Sequence, residues 1–226
     1  MKAIQLFVFA WILLVAGSCN SSFQPLTGEE GWDMENYPSC YEAGISKGSG
    51  KTGSDVVSIR YTKGETIDSD DFGAVKKSIA ALPYLGKRIR LSGTIRTQGV
   101  TEGAGFWMRV DAHDSILAFD NMDNRLVKGN SDWSACQVVL DVPDWAEQIT
   151  YGALLIGKGQ IWMDNLLVEE VGHETALTGN YIGEKFALAQ AKEEQGTATC
   201  GRGYVMPHNK LSHIQFVSEQ FQKKNR

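Results

Sequence analysis

An antiparallel β-sandwich of jelly-roll type, with a partly helical C-terminal tail, is the fold this sequence predicts. Three observations carry that expectation. Between about residues 55 and 171, short runs place β-branched and aromatic residues in period two. Clusters of Gly, Asp, Asn and Pro, such as "KGNSDW", "VPDWAEQ" and "GKG", separate those runs. From residue 173 to 226 the composition turns towards helix formers. Many short strands at such spacing close best as two packed sheets.

The elements follow from the N-terminus. "MKAIQLFVFAWILLVAGSC" has one Lys near its start, an apolar run from Ala3 to about Ala16, then small residues. That layout is a secretory signal peptide over 1–18, too short and too soon polar for a membrane span. Val15-Ala16-Gly17-Ser18-Cys19 is similar to a bacterial lipobox, which makes Cys19 the lipidation site, although Ala16 stands where Leu is usual. Ordinary cleavage after Ser18, leaving a secreted or periplasmic protein, is the alternative. Residues 19–31 then form the lipidated Cys and a tether, and the sandwich domain runs from 32 to 172.

Within it the expected strands are "DVVSIRYT" (55–62), "RIRLSGTIRT" (88–97), "GAGFWMRVD" (103–111), "SILAFDNM" (115–122), "SACQVVLDV" (134–142), "ITYGALLIG" (149–157) and "GQIWMDNLLVEEV" (159–171). "FGAVKKSIAALPYLG" (72–86) holds a helical turn on propensity. The C-terminal extension, 173–226, contains helical runs at 181–196 and 209–226. In the second, Leu211, Ile214, Val217 and Phe221 share one face.

Composition bounds the function. The 226 residues carry 22 basic and 27 acidic side chains, a net charge of −5. Such a balance supplies no electrostatic reason to bind nucleic acid. Beyond Cys19 there are Cys40, Cys136 and Cys200, without zinc spacing. Cys136 lies in an alternating apolar run and reads as a buried thiol, which leaves Cys40–Cys200 as the pair available for a disulfide. "GSGKTGS" (48–54) imitates a phosphate loop, but Ile45 stands where that pattern requires Gly, and a strand follows instead of a helix. It reads as a glycine-rich turn. His113, His173, His208 and His213 show no metal spacing, and no nucleophile elbow or catalytic triad is recognisable. No catalytic residue is assigned.

The strands 103–111 and 115–122 offer a binding row instead. Phe106, Met108 and Val110 alternate with Trp107, Arg109 and Asp111, so one face fills a core and the other presents a ring, a guanidinium fork and a carboxylate. A sugar's C–H face lies well on Trp, and its hydroxyls meet charged donors and acceptors. Trp107, Arg109, Asp111 and Asp120 are the first candidates, with Asn121 and Trp133 beside them. Packing of Trp107 under a loop, with Arg109 paired to a neighbouring acid, accounts for the same pattern without a ligand.

Two longer phrases carry a family resemblance. "GKRIRLSGTIRTQGVTEGAGFWMRVDAHDSILAFDNMDNRLVKGNSDWSACQVVLDVP" and "GALLIGKGQIWMDNLLVEEV" resemble a bacterial extracytoplasmic β-sandwich family of galactose-binding-like, carbohydrate-binding-module type. Related domains accompany C-terminal-processing serine peptidases and erythromycin-esterase-like proteins, and some free-standing members are labelled transcriptional regulators. The match covers about 55–171. It implies a non-catalytic envelope lipoprotein that binds carbohydrate or another cell-surface polymer, touching the membrane only through its lipid. It also implies a structural calcium held by Asp164, as an acidic residue on the last strand does in such modules; no other cofactor is expected. The alternative is an interaction module for an envelope protein partner. A hydrolase or a DNA regulator fits less well, since no helix-turn-helix is evident and the N-terminus is of the exported kind.

Overall fold

Strand formation here is a matter of burying every second residue, and the computed structural model shows where those residues go. It describes residues 22–36, 40–62, 71–113 and 115–181. The signal peptide, Cys19, Cys200 and the tail beyond Tyr181 lie outside the described residues. The described residues form eleven strands in chain order: β1 (Phe23–Pro25), β2 (Asp33–Asn36), β3 (Tyr41–Ser46), β4 (Val56–Tyr61), β5 (Phe72–Ala80), β6 (Arg88–Ala112), β7 (Ser115–Asp120), β8 (Val127–Asp141), β9 (Gln148–Ile156), β10 (Gln160–Val171) and β11 (Asn180–Tyr181). A single 3₁₀ turn, Leu82–Tyr84, follows β5. All described pairings are antiparallel.

β6 belongs to two layers. Its first part, Arg88 to Gln98, pairs with β10 on one side and β8 on the other. Its second part, Gly103 to Asp111, pairs with β9 and β7. The first layer therefore runs β1-β3-β4-β10-β6-β8 and the second β2-β5-β9-β6-β7-β11. The strand bends between them where the β6–β8 register shifts, from Ile95 to Ala104. Gly99 supplies the positive φ of 63° that this bulged stretch needs. The sequence 98–105, rich in Gly, reads locally as a turn between two strands; pairing on both flanks keeps it extended.

The core lies between the layers. Ile89, Leu91 and Ile95 face inward from the first part of β6, and Phe106, Met108 and Val110 from the second; all six are fully buried. Ile59, Val75, Ile149, Leu155, Ile161 and Met163 complete it from the flanking strands. Each such side chain contributes about 1.5–3 kcal/mol by leaving water. Glycines set the closest approaches across it. A Cβ on Gly93 would stand 3.0 Å from the Phe106 ring, and one on Gly73 would stand 2.8 Å from Tyr41. Tyr41 Oη reaches across to within 2.8 Å of the carbonyl oxygens of Asp71 and Gly157.

Two strands, β5 and β8, run through stretches whose local sequence suggests a turn. β5 takes the stretch expected to hold a helical turn, because its alternation lets Val75 enter the core while β2 and β9 satisfy its backbone. The turn is there, but it comes after the strand, at Leu82–Tyr84. β8 starts at Val127 and so absorbs "KGNSDW", with Gly129 at φ 69° easing its irregular pairing to β6.

Candidate functional site

Alternation on β10 and β6 builds an outward surface on the first layer. Ile161 and Met163 turn into the core, so Gln160, Trp162 and Asp164 turn out. On β6, Ile95 turns in and Arg96 turns out, directly opposite Trp162 in the register. The Arg96 guanidinium carbon lies 4.2 Å from the Trp162 ring centre and 5.2 Å from that of Trp133 on β8. Cation–π contacts of this kind hold a guanidinium at about 0.5–2 kcal/mol each, more as water is excluded. Trp162 is 8% exposed, and its indole nitrogen is buried without a hydrogen-bond partner.

Beside this stack runs an open groove of about 640 Å³, lined by Arg96, Gln98, Asn130, Ser131, Asp132 and Trp162. Its polar groups are partly committed. Gly99 N–H donates to Asn130 Oδ1 at 2.7 Å, which turns the Asn130 amide's NH₂ away from that bond as a donor. Trp133 N–H donates to Asp132 Oδ1 at 2.8 Å, and the hydroxyls of Ser131 and Ser134 bond each other at 2.7 Å. The same face continues over β4 to β1, where Arg60 lies 3.8 Å above the Phe23 ring while forking onto Glu42. The groove therefore sets a guanidinium-capped indole beside amides and a carboxylate, polar groups that can meet a hydroxylated ligand.

Trp107, Arg109 and Asp111 do share the outer face of the second layer, but they are closed from solvent. Trp107 is 5% exposed, and its indole nitrogen also lacks a hydrogen-bond partner. The Arg109 and Asp111 side chains are 12% and 16% exposed and bond each other, with Arg109 Nε 2.9 Å from Asp111 Oδ2. Burial pushes the Asp111 carboxyl above its usual range, and Arg109 pulls it partly back.

Asp120 and Asn121 serve the turn after β7. Asp120 accepts from Met122 N–H at 2.9 Å and pairs with Arg125 at 2.5 Å, while Asn121 Oδ1 accepts from Asp123 N–H. These bonds hold Met122 at its positive φ of 60°. Trp133, by contrast, lies beside Arg96 on the first layer, its ring centre 5.2 Å from the guanidinium carbon.

Asp164 fastens the glycine-rich turn. Its Oδ2 accepts from Lys51 N–H at 3.1 Å and from the Ser54 hydroxyl at 3.4 Å. Calcium takes six to eight oxygens, and the described residues hold no group of three acidic, His or Cys side chains placed for a metal. "GSGKTGS" is a turn, closed by Gly50 N–H donating to Ser54 O and followed by β4. His113 caps the β6–β7 turn beside Glu147. Cys136 is half-buried and Cys40 buried; burial pushes both thiols up.

The groove residues Arg96, Gln98, Asn130, Asp132 and Trp162 escaped the sequence reading. The signal was present in "QIWMD", where Trp162 alternates with two core residues. What places it opposite Arg96 is a pairing between strands some 65 residues apart, and nothing local encodes that register.

No family model matches the chain. Among curated proteins it is 38% identical over 174 residues to an uncharacterized HTH-type transcriptional regulator, YbfP, of Bacillus subtilis strain 168. That match takes in 74% of this chain and 58% of the relative, so the chain spans a little over half the length of the curated protein it matches. Among solved structures, the Stig cyclase Fisc from Fischerella sp. TAU has a TM-score of 0.49 at 15% identity, over 69% of this chain and 92% of its own. The CBM22-1 xylan-binding domain of Paenibacillus barcinonensis Xyn10C has a TM-score of 0.44 at 10% identity, over 63% and 87%. The C-terminal family 22 carbohydrate binding module of Clostridium thermocellum Xyn10B has the same score at 12% identity, over 67% and 92%.

Proposed function

We propose that this protein binds carbohydrate without transforming it, at the groove on the first layer, while a lipid on Cys19 holds it in the bacterial envelope. One observation carries the reading: Arg96 stands between Trp162 and Trp133 at the edge of an open groove that also offers Gln98, Asn130 and Asp132. A sugar ring stacks on an indole face, and its hydroxyls meet the amides and the carboxylate. The ligand is then a segment of an extracellular or cell-surface polymer.

The test is a glycan array and titration calorimetry on residues 20–226, with xylan among the polysaccharides, in the presence of calcium and of EDTA. Trp133→Ala, with folding verified by circular dichroism, is expected to weaken binding about five-fold or more, the effect of losing one stacking platform (about 1–3 kcal/mol). A Trp107→Ala, Arg109→Ala double variant tests the second layer; loss of binding there and retention in Trp133→Ala would move the site to that face. Binding unchanged by EDTA would remove calcium from the account. Radiolabelled fatty acid incorporated by the full chain, and lost in Cys19→Ala, checks the anchor.

The 38% identity to a longer HTH-type regulator favours a second reading, in which this sandwich is the ligand-sensing portion that the two proteins share. A helix-turn-helix reads DNA through a recognition helix, whereas the described residues here are strands with one 3₁₀ turn. Fractionation of cells expressing the full chain separates the two: membrane association supports the envelope protein, and a cytosolic pool supports the sensor.

A further inference from the structure

Arg96 differs from every other described arginine. Arg60, Arg88, Arg90, Arg109 and Arg125 each pair with a carboxylate, those of Glu42, Asp141, Glu169, Asp111 and Asp120 respectively. Arg96 makes no ion pair and no hydrogen bond to another described residue, although Asp132 lines the same groove. Its place is set by two indole rings, which accept no strong hydrogen bond in the guanidinium plane. The five N–H donors of a guanidinium lie in that plane. No described residue takes them up.

Around Arg96 the groove offers both donors and acceptors. Asn130 has spent its carbonyl on Gly99 N–H and retains its NH₂, and Asp132 has one oxygen taken by Trp133 N–H. Gln98 stands exposed at the same rim. A neutral sugar offers hydroxyls, which need acceptors as much as donors. A carboxylate offers acceptors alone, in the planar pair that a guanidinium fork matches.

We propose that the ligand of this groove is an acidic polysaccharide, and that Arg96 reads the carboxylate of a uronic acid unit while Trp133 supports the sugar ring. This rests on the carbohydrate reading above and names its substrate class. The net charge of −5 sharpens the point. The molecule as a whole repels a polyanion, so attraction comes from the local fork and not from a diffuse basic field.

The experiment measures affinity of residues 20–226 for polygalacturonate, alginate and glucuronoxylan. Each is paired with its carboxyl-reduced form, which keeps the backbone and removes the charge. At least one acidic polymer is expected to bind about ten-fold or more tightly than its reduced partner, as one charge-assisted fork would give. Arg96→Gln is expected to erase that preference, and Arg96→Lys to restore part of it, since the charge returns without the fork. Both variants are checked for wild-type unfolding midpoints. Equal affinity for every acidic polymer and its reduced form would overturn the carboxylate assignment and leave carbohydrate binding standing. A preference untouched by Arg96→Gln would move the carboxylate away from this groove. Failure of all polymers, acidic and neutral, would remove both readings together.

Discussion

Arg109 and Asp111 sit side by side on β6 with little access to water, and their pairing has a consequence in pH. Burial raises the Asp111 carboxyl, Arg109 lowers it in part, and the net direction is upward. The folded state then holds that proton more tightly than the unfolded chain does. The group's contribution to stability is fully present below its ordinary value of 3.8 and is lost as pH rises through the folded value. Urea unfolding of the wild type and of Asp111→Asn from about pH 3 to 6 is therefore expected to show the wild type losing stability relative to the variant as pH rises. A difference that grows in the opposite sense would sink the assignment. At the same scale, Asp120 and Asn121 show how a polar residue that looks available in sequence is consumed by its own turn. Their oxygens meet amides two residues on, the local bonding that Asp and Asn make most readily.

At the scale of the element, two glycines separate backbone strain from steric blockage. Gly99 has φ 63° and open space where a Cβ would go. Gly99→Ala therefore costs only the left-handed conformation, about 1–2 kcal/mol, seen as a modest fall in the urea midpoint. Gly152 lies on β9 between β5 and β6, and a Cβ there would stand 1.8 Å from the Val75 carbonyl oxygen. No rotamer relieves a clash with backbone. Gly152→Ala is expected to yield little soluble protein, or to lose the β5–β9 pairing as read by hydrogen exchange. If both substitutions cost the same, the distinction drawn here is wrong.

Across the whole molecule, β6 makes the two layers one cooperative unit. Its halves lie in different sheets, and Phe106 from the second half packs on Gly93 of the first. Phe106→Ala removes a fully buried ring at this junction and is expected to cost about 3–5 kcal/mol. Unfolding followed by tryptophan fluorescence and by far-ultraviolet circular dichroism should give coincident transitions in the wild type. Two resolved transitions would show that the layers unfold separately and that β6 does not couple them.

The strand character of residues 55–171 was legible in sequence, because period-two burial is a local property: each of "RIRLSGTIRT", "GFWMRVD" and "QIWMDN" declares its inward and outward sets by itself. The same rule identified Phe106, Met108 and Val110 as core, and glycine content with the failed phosphate-loop spacing identified "GSGKTGS" as a turn. Which outward set stays open to a ligand was not legible. Trp107 and Trp162 both alternate with core residues in phrases of similar composition, yet only Trp162 lines the open groove. That choice depends on strand order, on the register that sets Arg96 opposite Trp162, and on the bend that sends β6 from one layer into the other. These are contacts between residues far apart in the chain, and their energies are settled only when the two sheets close on each other.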